Sequence, residues 1–188
     1  MTGDEFDAWA PRSRRGFARR QVTAGLAAPA EAAAVARRIF DEELPHGPDT
    51  PSQHLWCART VDGCVGHLWL RVRPVAGPRP GGSPTAPPPV PPHVVEAYVL
   101  DVEIRPEARR RGLGRAALLA GHRAAVHLGA TVARLTVLGD RPAALGLYES
   151  LGYRVERVLQ REGRTDAVAA RLMSLSLPDE PPRGRAAP

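Results

Sequence analysis

The chain of 188 residues contains neither lysine nor asparagine, so all 26 of its basic side chains are arginine. Arginine remains charged at any physiological pH and presents a planar fork of donors. The same bias, together with abundant alanine, glycine and proline, fits a GC-rich bacterial genome, which weakens any argument from arginine number alone. Aromatic residues make up only 5% of the chain, leaving few platforms on which single-stranded nucleic acid could stack. There are two cysteines, Cys57 and Cys64, on either side of an expected Asp62-Gly63 hairpin turn. With that turn Val61 faces Cys64 and Cys57 faces a residue near Leu68, so the two are not cross-strand partners and no disulfide is expected. No apolar run reaches membrane length and the N-terminus lacks a signal-peptide core, so a reduced cytoplasm is expected. The six histidines (His46, His54, His67, His93, His122 and His127) form no HExxH pattern, and no metal site is expected.

The net charge is +6, but the arginines are scattered along the chain, at 12–20, 37–38, 71–79, 109–115 and in the tail. A nucleic-acid surface should concentrate its charge, so nucleic acid is not the expected partner. The length suits one domain, assigned to residues 1–177, followed by a disordered tail at 178–188.

Taken in order, residues 4–26 read as a helix that Pro11 and Gly16 should break or delay, with Phe6, Trp9, Phe17 and Val22 buried. A second, alanine-rich helix starts at Pro29-Ala30-Glu31 and runs to about Leu44, with Val35, Ile39 and Phe40 inward. Strands at 54–60 and 64–73 carry Trp56 and Trp69, which read as core or as the wall of a pocket. Residues 74–92 hold nine prolines and three glycines, which excludes strand and helix and leaves an extended loop inside the domain. Strands then follow at 94–104 and 131–138, and Asp140 is placed to cap a helix beginning at Pro142 and ending at Gly152. The strands 153–160 and 167–177 form a final antiparallel pair around Glu162-Gly163-Arg164.

The centre of the chain is Ile104-Arg105-Pro106-Glu107-Ala108-Arg109-Arg110-Arg111-Gly112-Leu113-Gly114-Arg115-Ala116. A β-branched strand ends at Pro106, and from Leu113 the apolar positions Leu113, Ala117, Ala120, Ala124 and Leu128 recur at helical spacing up to Gly129. The first turn of a helix leaves N–H groups without partners at the positive end of its dipole, so it can hold a phosphate. Glycines permit close approach, and the arginines add charge. Gly112 to Ala117 also fits G-x-G-x-x-A, with Asp140 near the distance of a ribose-binding acid, which would make a dinucleotide enzyme. Against that reading, seven residues separate Ile104 from Gly112, whereas dinucleotide loops follow their strand almost at once.

The same run resembles the acetyl-coenzyme-A loop of the GNAT superfamily of N-acetyltransferases. Its pattern, apolar-x-Pro-x-x-Arg/Gln-x-x-Gly-x-Gly/Ala, is filled here by Ile104, Pro106, Arg109, Gly112 and Gly114. A second block of that superfamily follows at Leu147-Tyr148-Glu149-Ser150-Leu151-Gly152-Tyr153. The resemblance covers roughly 94–155 and implies an α/β fold of the α+β kind: a mixed, mostly antiparallel central sheet flanked by helices, with two N-terminal helices near the acceptor site. It implies a bacterial-type acyltransferase that moves acetyl from acetyl-CoA to a primary amine, without metal or membrane, and allows a homodimer. A non-catalytic coenzyme-binding or regulatory module remains the alternative. The acceptor stays open among small amines, antibiotics, amino acids and protein N-termini.

Within that resemblance, coenzyme contacts fall on Val102, Glu103 and Ile104 through main chain, on Arg109, Arg110, Arg111, Gly112, Leu113, Gly114 and Arg115 at the loop, and on Arg141 and Tyr148. Many relatives have asparagine where Arg141 stands. Tyr148 aligns with the general-acid tyrosine, whose phenol lies close to a thiol in pKa. Asp101 and Glu103 are carboxylates in an apolar strand, where burial should raise their pKa toward that of a general base. Simple alternation puts them on one face, with Glu96 and Tyr98 on the other. The alternative is that they form ion pairs with arginines such as Arg105 or Arg134.

Overall fold

A computed structural model describes residues 1–61, 63–75 and 94–178. The turn residue Asp62, nearly all of the proline-rich segment and the tail beyond Pro178 lie outside the described residues. Thr2 opens α1 (Gly3–Ala24) with a capping box: its hydroxyl accepts from the Glu5 N–H, and the Glu5 carboxylate accepts from the Thr2 N–H. Pro11 does not break this helix, contrary to the sequence expectation. Its ring lies on the exposed side, while Trp9, Ala10 and Ser13 are buried around it and hold the helix to the sheet. At the far end Arg161 donates to the carbonyls of Thr23 and Ala24, satisfying acceptors that the helix cannot. α2 (Ala32–Glu43) packs against α1 and buries Ala32, Ala36 and Phe40, leaving Val35 and Ile39 only partly covered.

Six strands follow: β1 (Gln53–Thr60), β2 (Gly63–Pro74), β3 (Val95–Ile104), β4 (Val132–Leu138), β5 (Arg154–Arg161) and β6 (Arg164–Ser176), in the spatial order β1-β2-β3-β4-β6-β5. Every neighbouring pair is antiparallel except β3 and β4, which are joined through α3 (Leu113–His127). A sheet with a single parallel pair is not a doubly wound dinucleotide fold. The Val75 N–H donates to the Val94 carbonyl at 2.9 Å, so the proline-rich segment leaves and rejoins the sheet at one point.

Each face of the sheet has its own core. On one face α3 and α4 (Pro142–Ser150) cover Leu68, Leu70, Val99, Leu135 and Met173. On the other, α1 and α2 bring Trp9 and Phe40 onto Leu55 and Trp69. Trp69 is thus core, its Nε1 donating to Gln53 at 2.7 Å.

α3 forms where the periodicity places it, but turned. Its buried positions are Leu118, Gly121, His122, Ala125 and Val126, whereas Ala120 and Leu128 are exposed. An alanine-rich helix offers little contrast between its sides, and two non-apolar-looking residues decide the matter. Gly121 faces the sheet because a Cβ there would come within 2.4 Å of Leu68 Cδ2. His122 faces it because its Nε2 and the Tyr153 hydroxyl share a 2.8 Å hydrogen bond.

Burial depresses the pKa of His122 from 6.5 to about 4. The unfolded chain therefore binds a proton that the fold rejects between these values, so stability should fall as pH drops from 6.5 toward 4. The loss should be on the order of 2–3 kcal/mol, and His122→Gln should remove that part of the slope in urea titrations at several pH values.

Candidate active site

Two irregularities of β3 build the site. Leu70 lies opposite Val99 and Trp69 opposite Asp101, so Leu100 is a bulge. The bulge resets the alternation: Tyr98, Asp101 and Glu103 all point to the α1 side, where simple alternation put Tyr98 and Glu96 on the face away from the two carboxylates. Tyr98 lies under the Arg71 guanidinium, which is itself paired with Glu43 of α2, and bonds Thr136 at 2.6 Å. Glu96 pairs with Arg134 at 3.0 Å and is committed to that contact.

The second irregularity is a parting of strands. β3 pairs with β4 only from Glu96 to Val99, against Val132 to Leu135, although both strands run on. A cavity of about 360 Å³ fills the wedge, with Val102, Leu138, Arg141 and Tyr148 among its walls. The Arg105 N–H donates to Val65 on β2, and an antiparallel ladder alternates, so Glu103 also directs its main chain to β2. Glu103 therefore drops out of the expected main-chain contacts. The N–H groups of Val102 and Ile104 face the open wedge.

At the mouth of the wedge a short 3₁₀ turn, Pro106–Ala108, leads into the loop. Arg109 donates through Nε to the Ile104 carbonyl at 2.8 Å, which ties the loop to the strand. Arg110 and Gly112 take left-handed backbone conformations, with φ of 62° and 74°. Gly112 is the N-cap of α3, no side chain caps it, and the first turn holds no acid. The N–H groups of Leu113, Gly114 and Arg115 thus have no acceptor within the helix and no carboxylate to offset the dipole. A Cβ at Gly112 would meet nothing within 4 Å, and one at Gly114 would make only ordinary contacts of 3.5 Å or more. The protein itself demands no glycine at 114, so the bare surface is left to whatever sits at the mouth. Arg110 and Arg111 are exposed beside it. Arg115, expected among the coenzyme contacts, spends its side chain on Ser150 Oγ (2.9 Å) and the Ser150 carbonyl (3.1 Å). The mouth thus offers unpartnered N–H groups and positive charge, chemistry that could hold an anionic group.

On the α1 side Asp101 is 9% exposed and accepts hydrogen bonds from Ser13 Oγ (2.6 Å) and Arg20 (3.2 Å). His67 Nε2 lies 3.0 Å from the same carboxylate. Burial pushes the Asp101 pKa upward, but the hydrogen bond from His67, the Arg20 charge and Ser13 together outweigh it and hold the carboxyl below its ordinary 3.8. This reverses the sequence expectation of a raised pKa. A stably ionised carboxylate is a weak base and a good anchor. The ion pair foreseen for it with Arg105 or Arg134 forms instead with Arg20, and His67 adds a hydrogen bond. Glu103 is nearly half exposed and lies 3.9 Å from Arg109.

Tyr148 projects from α4 into the wedge, packed edge-on against Tyr153 with 5.8 Å between ring centres. Burial pushes its phenol up to about 12, with Arg141 opposing and Asp101 reinforcing. The near match to a thiol is lost, and Tyr148 stays protonated at neutral pH. Arg141 sits at the N-cap of α4 and lines the wedge. Asp140 does not cap that helix: it is exposed and pairs with Arg171 at 3.6 Å.

Beneath α1 lies a larger cavity of about 820 Å³, with Ser13, His67, Glu103 and Arg141 in its walls. Asp101 faces the wedge while its partners His67 and Ser13 face this second space, so one hydrogen-bonded cluster stands between the two. The sequence reading missed His67, Ser13 and Arg20. Each lies more than 30 residues from Asp101, and the only local signal was a carboxylate in an apolar strand. No described helix is long and apolar enough to cross a membrane.

The six-stranded, mostly antiparallel sheet with α1 to α4 on its faces is the fold class that the acyltransferase resemblance implied. The sequence profile described as the Acetyltransferase (GNAT) family matches residues 22–153, and the chain belongs to that family. It is 28% identical over 155 residues to the uncharacterized N-acetyltransferase YycN of Bacillus subtilis strain 168, covering 82% of this chain and 89% of that one. The crystal structure of YycN superposes with a TM-score of 0.71 over 88% of this chain and 96% of that one, at 25% identity. A second protein of that organism, the uncharacterized N-acetyltransferase YdgE, is 25% identical over 163 residues, 86% and 94% of the two chains. A GNAT family acetyltransferase from Elizabethkingia anophelis with acetyl-CoA bound shares the fold, with a TM-score of 0.52 at 12% identity over 75% and 83% of the two chains.

A carboxyl held below 3.8 in the fold adds stability in full above that value and loses it as the pH falls toward the folded pKa. Asp101→Asn should therefore destabilise the protein at pH 7, with the gap to wild type narrowing below pH ~4; urea denaturation at pH 3 to 7 measures both.

Proposed function

We propose that the protein transfers an acetyl group from acetyl-CoA to a primary amine by direct attack within a ternary complex. The observation that carries this reading is the wedge between β3 and β4, with free main-chain N–H groups along one side, a bare helix N-terminus at its mouth and Tyr148 within it. Acetyl-CoA supplies an acyl thioester. Leu113, Gly114 and Arg115 would hold its diphosphate through their N–H groups, with Arg110 and Arg111 adding charge and Arg109 fixing the loop. Val102 or Ile104 N–H would polarise the thioester carbonyl, a role that asks nothing of the side chain. Arg141, standing where relatives have asparagine, reaches the same wedge.

The amine must lose a proton as its nitrogen bonds the carbonyl carbon. His67 is the better acceptor for it: with Nε2–H donated to ionised Asp101, its Nδ1 carries the free lone pair. Asp101 acts through His67 as a positioning residue. Glu103, on the same face, attracts the incoming ammonium, which releases one proton to water to become the neutral amine before attack. As the carbon–sulfur bond breaks, the Tyr148 hydroxyl gives its proton to the leaving thiolate, and His67 and Tyr148 then return to their starting forms by exchange with water. Because the phenol is the weaker acid of the two, Tyr148 serves mainly as a hydrogen-bond donor until the thiolate has largely formed.

Acetyl-CoA should raise the melting temperature in a concentration-dependent way, and NAD should not. Tyr148→Phe should lower kcat by about 100-fold and leave the acetyl-CoA Kd within about twofold of wild type, by stopped assay and calorimetry. A Tyr148→Phe enzyme with unchanged kcat would remove the tyrosine from the mechanism. Binding of NAD in place of acetyl-CoA would remove the reading as a whole.

A further inference from the structure

The charge around the larger cavity is unbalanced in one direction. Five arginines, Arg12, Arg15, Arg19, Arg105 and Arg141, line it without a carboxylate partner among the described residues. Two of its acids are engaged by arginines outside the lining, Glu5 by Arg59 and Asp140 by Arg171, while half-exposed Glu103 lies 3.9 Å from Arg109. Arg20, the remaining cation, is paired with Asp101.

The five come from different walls. Arg12, Arg15 and Arg19 stand at i, i+3 and i+7 on one side of α1, a row about 10 Å long. Arg105 leaves the end of β3, and Arg141 enters α4 from the opposite side. Like charges around one concavity repel and have no internal compensation. At the floor of the same space stand His67 and Glu103, the groups that receive an amine, next to the wedge. Cations at the rim and a proton acceptor at the floor suit one kind of molecule.

We infer that the acetyl acceptor is a small primary amine carrying two or more acidic groups, carboxylates or phosphates, which the α1 arginines and Arg105 hold while the amine reaches His67. This rests on the acetyltransferase reading above and names its substrate class. The row on α1 is too long for one carboxylate, and its neighbouring members, about 5–6 Å apart, match two anionic groups separated by a few bonds. The arginines stand at the exposed rim of a cavity, which favours a molecule that enters over a polyanion that lies across the surface.

The test compares acidic and neutral amines by coenzyme A release and by calorimetry in the presence of coenzyme A: the isosteric pairs aspartate against asparagine and glutamate against glutamine, and O-phosphoserine against serine, with spermidine as the cationic arm and peptides beginning Asp-Glu as the polymeric source. The acidic member of each pair should have the higher kcat/KM by at least ~10-fold, and the advantage should shrink in 0.5 M salt. Among the acidic arms, better use of the peptides than of free acids would overturn the small-molecule assignment. Arg15→Gln/Arg19→Gln, on the exposed side of α1, should raise KM for the acidic amine with little change in kcat and leave the acetyl-CoA Kd unaltered. Equal use of neutral and acidic isosteres, a preference for spermidine, or no binding of any acidic amine to a protein that still binds acetyl-CoA would overturn the inference and leave the acetyltransferase reading standing. Loss of acetyl-CoA binding itself would strike that earlier reading instead.

Discussion

The structure depends on one unmet set of hydrogen bonds. β3 and β4 are adjacent parallel strands that stop pairing after Val99 and Leu135 while both continue, so Val102 and Ile104 turn N–H groups to an open wedge. Leaving backbone donors unpaired beside a core is costly unless something occupies the gap. The fold accepts that because β3 is paired on its other side with β2 from Val95 to Ile104, interrupted only by the bulge at Leu100. Gly66 makes the close pairing work, since a Cβ there would lie 2.3 Å from the Glu103 carbonyl. One edge of β3 is thus held rigid so that the other can remain unsatisfied.

The bulge at Leu100 is the second half of the same device. It lets β3 send Val99 and Val102 toward the α3 core while Leu100 and Asp101 both face α1. Asp101 is thereby buried among three donors from two separate elements: Ser13 and Arg20 on α1 and His67 on β2. The electrostatic outcome follows from counting partners. Burial alone would favour a neutral carboxyl, but one cationic and two further donors favour the ion. The anchored carboxylate fixes the ring of His67 and pins α1 over the cavity. Tyr148 shows the opposite balance, buried with little to stabilise its anion, so it keeps its proton.

Membership of the GNAT family, shown by the match over residues 22–153, accounts for the wedge and the loop. The roof adds a second feature: α1 carries a row of arginines, without carboxylate partners among the described residues, along the larger cavity. In a protein without lysine, arginine number is uninformative, but five arginines along one cavity with no carboxylate partner among the described residues are not.

The sequence by itself determined the order and type of the elements, the loop from Ile104 to Gly114 and the position of Tyr148, because these are local: strand-forming runs, a proline stop, glycines at the entry to a helix, and apolar spacing each act within a few residues. It also foresaw that Asp101 and Glu103 share a face. Only the tertiary structure decided what surrounds them. The rotation of α3 was settled by Gly121 meeting Leu68 and His122 meeting Tyr153, the persistence of α1 through Pro11 by packing on the sheet, and the downward shift of Asp101 by His67, Ser13 and Arg20. Each of these is a balance between burial and partners far apart in the chain, and no local pattern encodes which partner will be there.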